Sequence, residues 1–467
     1  MDTVNVSDVI ERQRPNRTVG TLIILSFLIM LCDGYDLQAI AFASPTIVVD
    51  WGIEKASLGF VFSAGAFGIM LGGFLFGYIA DRMGRRPAFL LGTFLFGLVT
   101  LSTVFASNVT NLAVLRFFAG LGIGGVTPIC LALNVEYVPQ RFRATVVAFV
   151  MVGYAIGASA GGLVAAWLVP THGWRVLFYI GGLVPLALLP LLVLALPESI
   201  KYLLLSGKNP QAVLRLVKTL DPLVQAAAQT RFVLEAADVQ AKIANWKDSA
   251  IGLFRGRLSR ITPVLWIAFI ASSTTIFFLA SWIPILTVGT GRSAAQAAIG
   301  LTLFSIGGAV GGLFSGRLID KLGVASMTPI PLVAAVLVVA IGATEFSDMN
   351  FLAMLCAIGF FVFGGHFGLL GVMGLFYPST NRANGVGWAL SIGKLGSIFG
   401  PAVAAILIAG HASLSELLMV AAAPLPIVAL GGFALGRLEK ATSRPLVMPL
   451  GTGDLVADVP AARFSEL

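Results

Sequence analysis

Twelve stretches of predominantly apolar residues recur along the chain, each long enough to cross a bilayer, and that recurrence leaves few folds open. A helix rising about 1.5 Å per residue needs about 20 residues to span the ~30 Å hydrocarbon core. In lipid no water can bond an exposed backbone N–H or C=O, so each span must satisfy its own backbone, as a helix does. The stretches lie near 20–43, 57–80, 87–106, 111–134, 144–168 and 175–196, then 261–286, 296–317, 326–344, 351–376, 384–409 and 416–437. Only 11% of the residues are charged, against roughly 25% in soluble domains. The 53 glycines suit helices that must approach closely where lipid supplies no hydrophobic drive for association.

Charge then orients the spans. Of the 30 Lys and Arg, 25 fall in the N-terminus, the central loop, the C-terminus and the loops on the same side. Lys55, Arg175 and Arg292 fall near the other side, and Arg116 and Lys394 lie inside spans. By the positive-inside rule both termini are expected in the cytoplasm. The expected segments are a cytoplasmic N-terminus 1–19, a six-helix bundle 20–198, a cytoplasmic central loop 199–259, a second bundle 260–437 and a cytoplasmic tail 438–467. The first 19 residues are polar, with no cleavable leader evident, so the stretch after them is expected to stay as the first membrane helix. Within the central loop Ala212, Val213, Leu216, Val217 and Leu220 carry a helical apolar pattern, read as a short amphipathic helix. The net charge of +8 is a topology signal, since no basic run interleaved with aromatics suggests nucleic acid. Cys32, Cys130 and Cys356 sit in apolar segments without metal or redox spacing, and His172 and His411 add no metal pattern. No metal and no cofactor is expected.

The two groups of six spans repeat in one register. Gly77, Asp81 and Gly84 match Gly316, Asp320 and Gly323 at an offset of 239 residues. Pro139, Arg143 and Ala144 match Pro378, Arg382 and Ala383, and Gly157 and Gly161 match Gly396 and Gly400, at the same offset. The fold class expected is all-α integral membrane, with twelve transmembrane helices in two pseudo-symmetric six-helix bundles. Parallel repeats of this kind are the arrangement of the major facilitator fold, which holds its substrate between the halves near the midplane.

The loop Gly77-Tyr-Ile-Ala-Asp81-Arg82-Met-Gly84-Arg85-Arg86-Pro87 resembles the signature of the major facilitator superfamily between its second and third helices. Gly77 is expected to let helices pack closely, and Gly84 to permit a tight turn. Asp81 can accept hydrogen bonds from Arg or from helix N-termini across the cytoplasmic seam. Asp81, Arg82, Gly84, Arg85, Arg86, Glu136, Arg143, Asp320 and Arg382 are therefore the candidate gating residues. The glycines at 120, 122, 124 and 125 look like a dinucleotide fingerprint, but they lie inside a span with no preceding strand. They resemble the fourth-helix motif of the same superfamily.

Four ionisable residues lie within spans: Asp33, Asp36, Arg116 and Lys394. Each costs about 2.5–3.5 kcal/mol on insertion scales, so such residues face a cavity or one another. Asp33 and Asp36 are three apart and share a helical face. Two like charges in a low dielectric cannot both ionise cheaply, which makes at least one a candidate proton carrier. The other reading of the pair is a structural ion pair with Arg116 or another cation. Arg116 and Lys394, on helices of opposite halves, suit an anionic substrate, and Arg116 also suits structural anchoring. His366 is either a hydrogen-bonded packing residue or a contact to substrate. Tyr35 and Trp388 are the aromatic residues best placed to stack on a ring.

Across roughly 20–437 the chain resembles the aromatic acid:proton symporters of the major facilitator superfamily. Asp33-Gly-Tyr-Asp36 and the segment from Tyr377 through Arg382, Trp388 and Lys394 carry the likeness. The resemblance implies that the acid pair is required for transport and that Lys394 handles substrate. Lys394 departs from the family's usual Arg, and Asn384 from a small hydroxylated residue. It further implies proton-driven uptake of hydroxybenzoate-like carboxylates by a monomer in a bacterial inner membrane, with the lipid bilayer, protons and an aromatic carboxylate as its partners. The residues alone reach only an organic anion and proton coupling. Another organic anion or sugar acid, a drug:proton antiporter and a non-transporting sensor stay open. No nucleophile–base pair suggests an enzyme.

Overall fold

The computed structural model describes residues 3–13, 16–206, 210–221, 231–233, 251–344, 346–377 and 382–443. In chain order its elements begin with β1 (Thr3–Asn5), α1 (Val6–Arg12), α2 (Arg17–Trp51), α3 (Leu58–Met83), α4 (Arg85–Ser102), α5 (Val109–Tyr137), α6 (Gln140–His172) and α7 (Arg175–Ala195). The linker holds α8 (Ile200–Ser206), α9 (Pro210–Leu220) and β2 (Arg231–Val233). The second half holds α10 (Leu258–Gly289), α11 (Ala294–Leu322), α12 (Pro329–Ala343), α13 (Asp348–Phe376) and α14 (Arg382–Ala409). Its last span is split into α15 (Leu414–Ala422) and α16 (Leu425–Ser443) around Pro424, which has no N–H to continue the ladder.

All twelve expected spans are present. Several run beyond their apolar stretch, because a helix stays self-satisfied after it leaves the hydrocarbon. The first continues through Pro45 to Trp51 and stops at Gly52, whose φ of 60° turns its N–H back onto the carbonyls of Val48 and Val49. The polar N-terminus is folded as well, which its composition does not suggest. Val6, Val9 and Ile10 occur at helical spacing and are buried in one core with Val213 and Val217 of α9, while β1 pairs in parallel with β2.

Helix packing repeats the register of the sequence. The main pairs are α3 on α5 and α2 on α6 in the first half, and α11 on α13 and α10 on α14 in the second. A Cβ on Gly72 would collide with the carbonyl of Leu121, and one on Gly311 with that of Phe360. A Cβ on Gly157 would meet the carbonyl of Leu31, and one on Gly396 that of Ile270. Glycine and partner both shift by 239 residues in each case. Gly77 and Gly316 do not belong to this set: a Cβ at either meets nothing within 4 Å, so close packing is not their role.

The halves meet unevenly. At the end away from the termini they share one core, with Phe42 and Phe62 from the first half and Trp282 and Leu301 from the second. There Ser63 Oγ donates to the Ile398 carbonyl at 3.1 Å and Thr302 Oγ1 to the Ser159 carbonyl at 3.3 Å. At the end that carries the termini each half has its own core. Phe89, Leu133 and Tyr137 belong to one, and Leu265, Met327 and Tyr377 to the other. The structure is thus closed at one end and divided at the other.

Gly72→Ala and Gly311→Ala are expected to destabilise the purified protein by about 1–3 kcal/mol through overpacking. Gly77→Ala is expected to leave its melting temperature unchanged, and thermal unfolding in detergent measures all three.

Candidate functional site

The tetrapeptide from Asp33 to Asp36 is pinned because Gly34 lies directly on the Tyr154 carbonyl of α6, where no side chain fits. The two carboxylates then part company. Asp36, 1% exposed, pairs with Arg116 at 3.2 Å and accepts from Thr100 Oγ1 at 2.8 Å. The Arg116 guanidinium also donates to Thr103 Oγ1 at 2.9 Å and lies over the Phe178 ring, 4.9 Å from its centroid. Arg116 is therefore committed to Asp36, which is the anchoring alternative of its two readings.

Asp33, 2% exposed, has no such cation at salt-bridge distance among the described residues. Its Oδ2 accepts from Thr127 Oγ1 of α5 at 2.5 Å. Across the boundary between the halves it is within electrostatic reach of Lys394 on α14. The Lys394 ammonium has no hydrogen bond or ion pair among the described residues, and the side chain is only partly buried. An acid of one half thus lies within electrostatic reach of a cation of the other.

The three remaining expected contacts sit within single halves. Tyr35 is packed in the first half, with its hydroxyl donating to the Leu177 carbonyl at 3.2 Å. Trp388 stacks on Trp266 at 6.3 Å, within the second-half core. His366 stacks on Phe269 at 4.5 Å, and its Nδ1 lies 3.0 Å from Ser272 Oγ.

The loop residues cluster at the end that carries the termini, and their partners lie in their own half. Gly84 has a φ of 105°, and Glu198 fills the space where a side chain would stand. The Glu198 Oε1 accepts from the backbone N–H groups of Arg85 at 2.8 Å, Arg86 at 3.1 Å and Ser199 at 2.7 Å, capping α4. Arg85 pairs with Glu136 at 2.6 Å, Glu136 accepts from Ser199 Oγ at 2.5 Å, and the Arg86 guanidinium donates to the Val193 carbonyl. Arg82 lies over the Tyr78 ring at 4.6 Å. Arg143 bonds the Val138 carbonyl at 3.1 Å and stands 3.7 Å from Glu11 of α1. The second half repeats the capping: Glu439 Oε2 accepts from the N–H of Val324 at 3.0 Å, beside Gly323 at φ 79°. Asp81 and Asp320 are exposed and make no hydrogen bond or ion pair among the described residues. Arg382 opens α14, with its side chain outside the described residues, as are Pro378 and the tail after Ser443.

Thr100, Thr103, Thr127, Ser272 and Glu198 are the partners that reading residues one at a time misses. A hydroxyl in a span carries no signal until the helix beside it is known. Glu198 is the exception, since a Pro-Glu step ending the sixth span marks a helix terminus where a carboxylate can cap.

Removing one member of the buried pair strands the other, at a cost of about 3–5 kcal/mol, whereas replacing both with apolar residues is close to neutral. Asp36→Leu and Arg116→Met are each expected to lower the melting temperature of the purified protein, and the double variant to recover most of the loss.

The profile of the Major Facilitator Superfamily matches residues 26–291 and 265–457. A gallate transporter of Pseudomonas putida is 34% identical over 398 residues, covering 85% of this chain and 87% of that protein. A 4-hydroxybenzoate transporter of Acinetobacter baylyi is 33% identical over 413 residues, covering 88% of this chain and 89% of that protein. Among solved structures, a bacterial homologue of the human lysosomal transporter Spinster, inward-facing and occupied, superposes with a TM-score of 0.70 at 17% identity. It covers 91% of this chain and 98% of that one, and shows a shared fold. The chain belongs to the major facilitator superfamily and, within it, to the aromatic acid:proton symporter family.

Proposed function

We propose that the chain imports aromatic carboxylates together with protons by alternating access, with Asp33 carrying the proton and Lys394 binding the carboxylate. The observation that carries this is the division of labour in the first span. Asp36 is paired with Arg116, while Asp33 accepts from the Thr127 hydroxyl, has no cation at salt-bridge distance among the described residues, and lies within electrostatic reach of Lys394 of the other half.

Charge balance makes the coupling. In the empty carrier, ionised Asp33 offsets the Lys394 ammonium. When Asp33 is protonated, the ammonium is left for the carboxylate of the substrate, and the site is again balanced. Substrate without proton, or proton without substrate, leaves one charge unpaired in a low-dielectric site. At about 2.5–3.5 kcal/mol per unpaired charge, those states cross about 100-fold more slowly. Only the balanced states interconvert readily, so the two cargoes move together. A lysine here gives a point-charge contact rather than the two-pronged grip of an arginine.

The bias of Lys and Arg toward the termini supports a cytoplasmic location for that end, in a bacterial inner membrane. On that orientation, the shared core closes the outer end and the divided cores face the cytoplasm, an inward-facing arrangement. The clasps of Glu198 and Glu439 hold the loops of each half as rigid caps, and Asp81 and Asp320 are then free to meet partners when the inner end closes. The chain works as a monomer in this scheme. Relatives named for gallate and 4-hydroxybenzoate transport support an aromatic acid as cargo.

Vesicles holding the purified protein are expected to accumulate radiolabelled 4-hydroxybenzoate when an inward proton gradient is imposed. Asp33→Asn is expected to lose that accumulation and still exchange labelled for unlabelled substrate, because a permanently neutral residue mimics the loaded state. Uptake indifferent to the gradient, or accumulation that survives Asp33→Asn, counts against the proposal.

A further inference from the structure

The 239-residue register links two side-chain pairs that the sequence does not connect. Adding 239 to Asp33 gives Ser272, and adding it to Thr127 gives His366. In the first half Thr127 donates to Asp33 between α5 and α2, and in the second half Ser272 and His366 are bonded between α10 and α13. The same hydrogen-bonded bridge therefore occurs twice, at equivalent places on the two halves. One copy holds an acid, and the other holds an imidazole and a hydroxyl.

The second bridge is finished on one side only. His366 Nδ1 is taken by Ser272, while Nε2 makes no hydrogen bond among the described residues, and the residue is only partly buried. The imidazole lies flat on Phe269, with an interplanar angle of 27°. Phe269 in turn presses on Gly393, where any side chain would collide with it. Imidazole, phenyl ring and bare backbone are thus layered, and the next residue along α14 is Lys394. The layer ties the imidazole, through Phe269, to the residue that precedes Lys394, and leaves one ring nitrogen without a hydrogen bond among the described residues.

We propose that Ser272 and His366 form a specificity subsite that takes a hydroxyl on the ring of the substrate, while Lys394 holds its carboxylate. This rests on the aromatic-acid reading given above. A phenolic hydroxyl both donates and accepts, so it satisfies Nε2 in either tautomer of the imidazole. An unsubstituted ring offers that nitrogen no partner, which is where discrimination arises. The two halves have then diverged at one symmetric position: Asp33 and Thr127 couple the proton, and Ser272 and His366 read the ring.

The test compares benzoate with 4-hydroxybenzoate and 3-hydroxybenzoate in proton-driven uptake by vesicles of the wild-type protein, Ser272→Ala, His366→Gln and His366→Phe. The phenylalanine keeps a ring stacked on Phe269 and removes both nitrogens. His366→Phe is expected to shift the ratio of KM for the better hydroxybenzoate to KM for benzoate by about tenfold against the hydroxylated acid. Ser272→Ala is expected to shift it in the same direction by less, and His366→Gln to restore part of it. An unchanged ratio, including one in which both acids weaken equally, overturns the subsite and assigns His366 to packing. Wild-type protein that takes up none of the three acids overturns the aromatic-acid reading itself.

Discussion

The close approach of backbone to backbone at glycine is the contact on which the rest of this molecule depends. Lipid gives two apolar helices no reason to associate, so what holds them is dispersion over surfaces that fit. Gly72 on Leu121 and Gly157 on Leu31, with Gly311 on Phe360 and Gly396 on Ile270, set helix spacing and rotation at once. The same approaches recur in both halves at the 239-residue offset.

On that scaffold the spans carry charge in two different ways. The Asp36–Arg116 pair is enclosed within one half, with Thr100, Thr103 and the Phe178 ring completing its surroundings. Such a pair is insensitive to how the halves sit, since all its members travel together. Asp33 and Lys394 belong to different halves, so their interaction strengthens or weakens with every movement between them. A coupling device needs the second kind of pair, and a stable helix bundle benefits from the first. Tyr35 and Trp388 likewise make their contacts within one half each.

The two ends of the molecule differ for a related reason. The core at the end away from the termini is made jointly by both halves, with hydroxyl-to-carbonyl contacts from Ser63 and Thr302 that need no charge. The other end holds its charges in local clasps, Glu198 over the start of α4 and Glu439 over Val324, each beside a glycine that turns the chain with positive φ. Carboxylates placed on helix N-termini satisfy orphan N–H groups and complement the dipole there. They keep each loop rigid while leaving Asp81 and Asp320 exposed.

The sequence by itself determined the number of spans, their orientation bias and the two-fold repeat, because hydrophobic length, charge placement and register are properties of one dimension. It also marked Asp33, Asp36, Arg116 and Lys394, since a charge inside an apolar stretch stands out wherever the helix goes. It did not reveal that α1 folds onto α9, or that Gly77 has open space where a side chain would stand, because both depend on which surfaces meet. Only the tertiary structure decided which carboxylate pairs with Arg116 and which accepts from Thr127. Asp33 and Asp36 share a helical face, and their spacing along α2 does not say which of them meets Arg116. Ser272 and His366 became a pair in the same way. Their sequence separation of 94 residues is bridged only when α10 and α13 lie side by side.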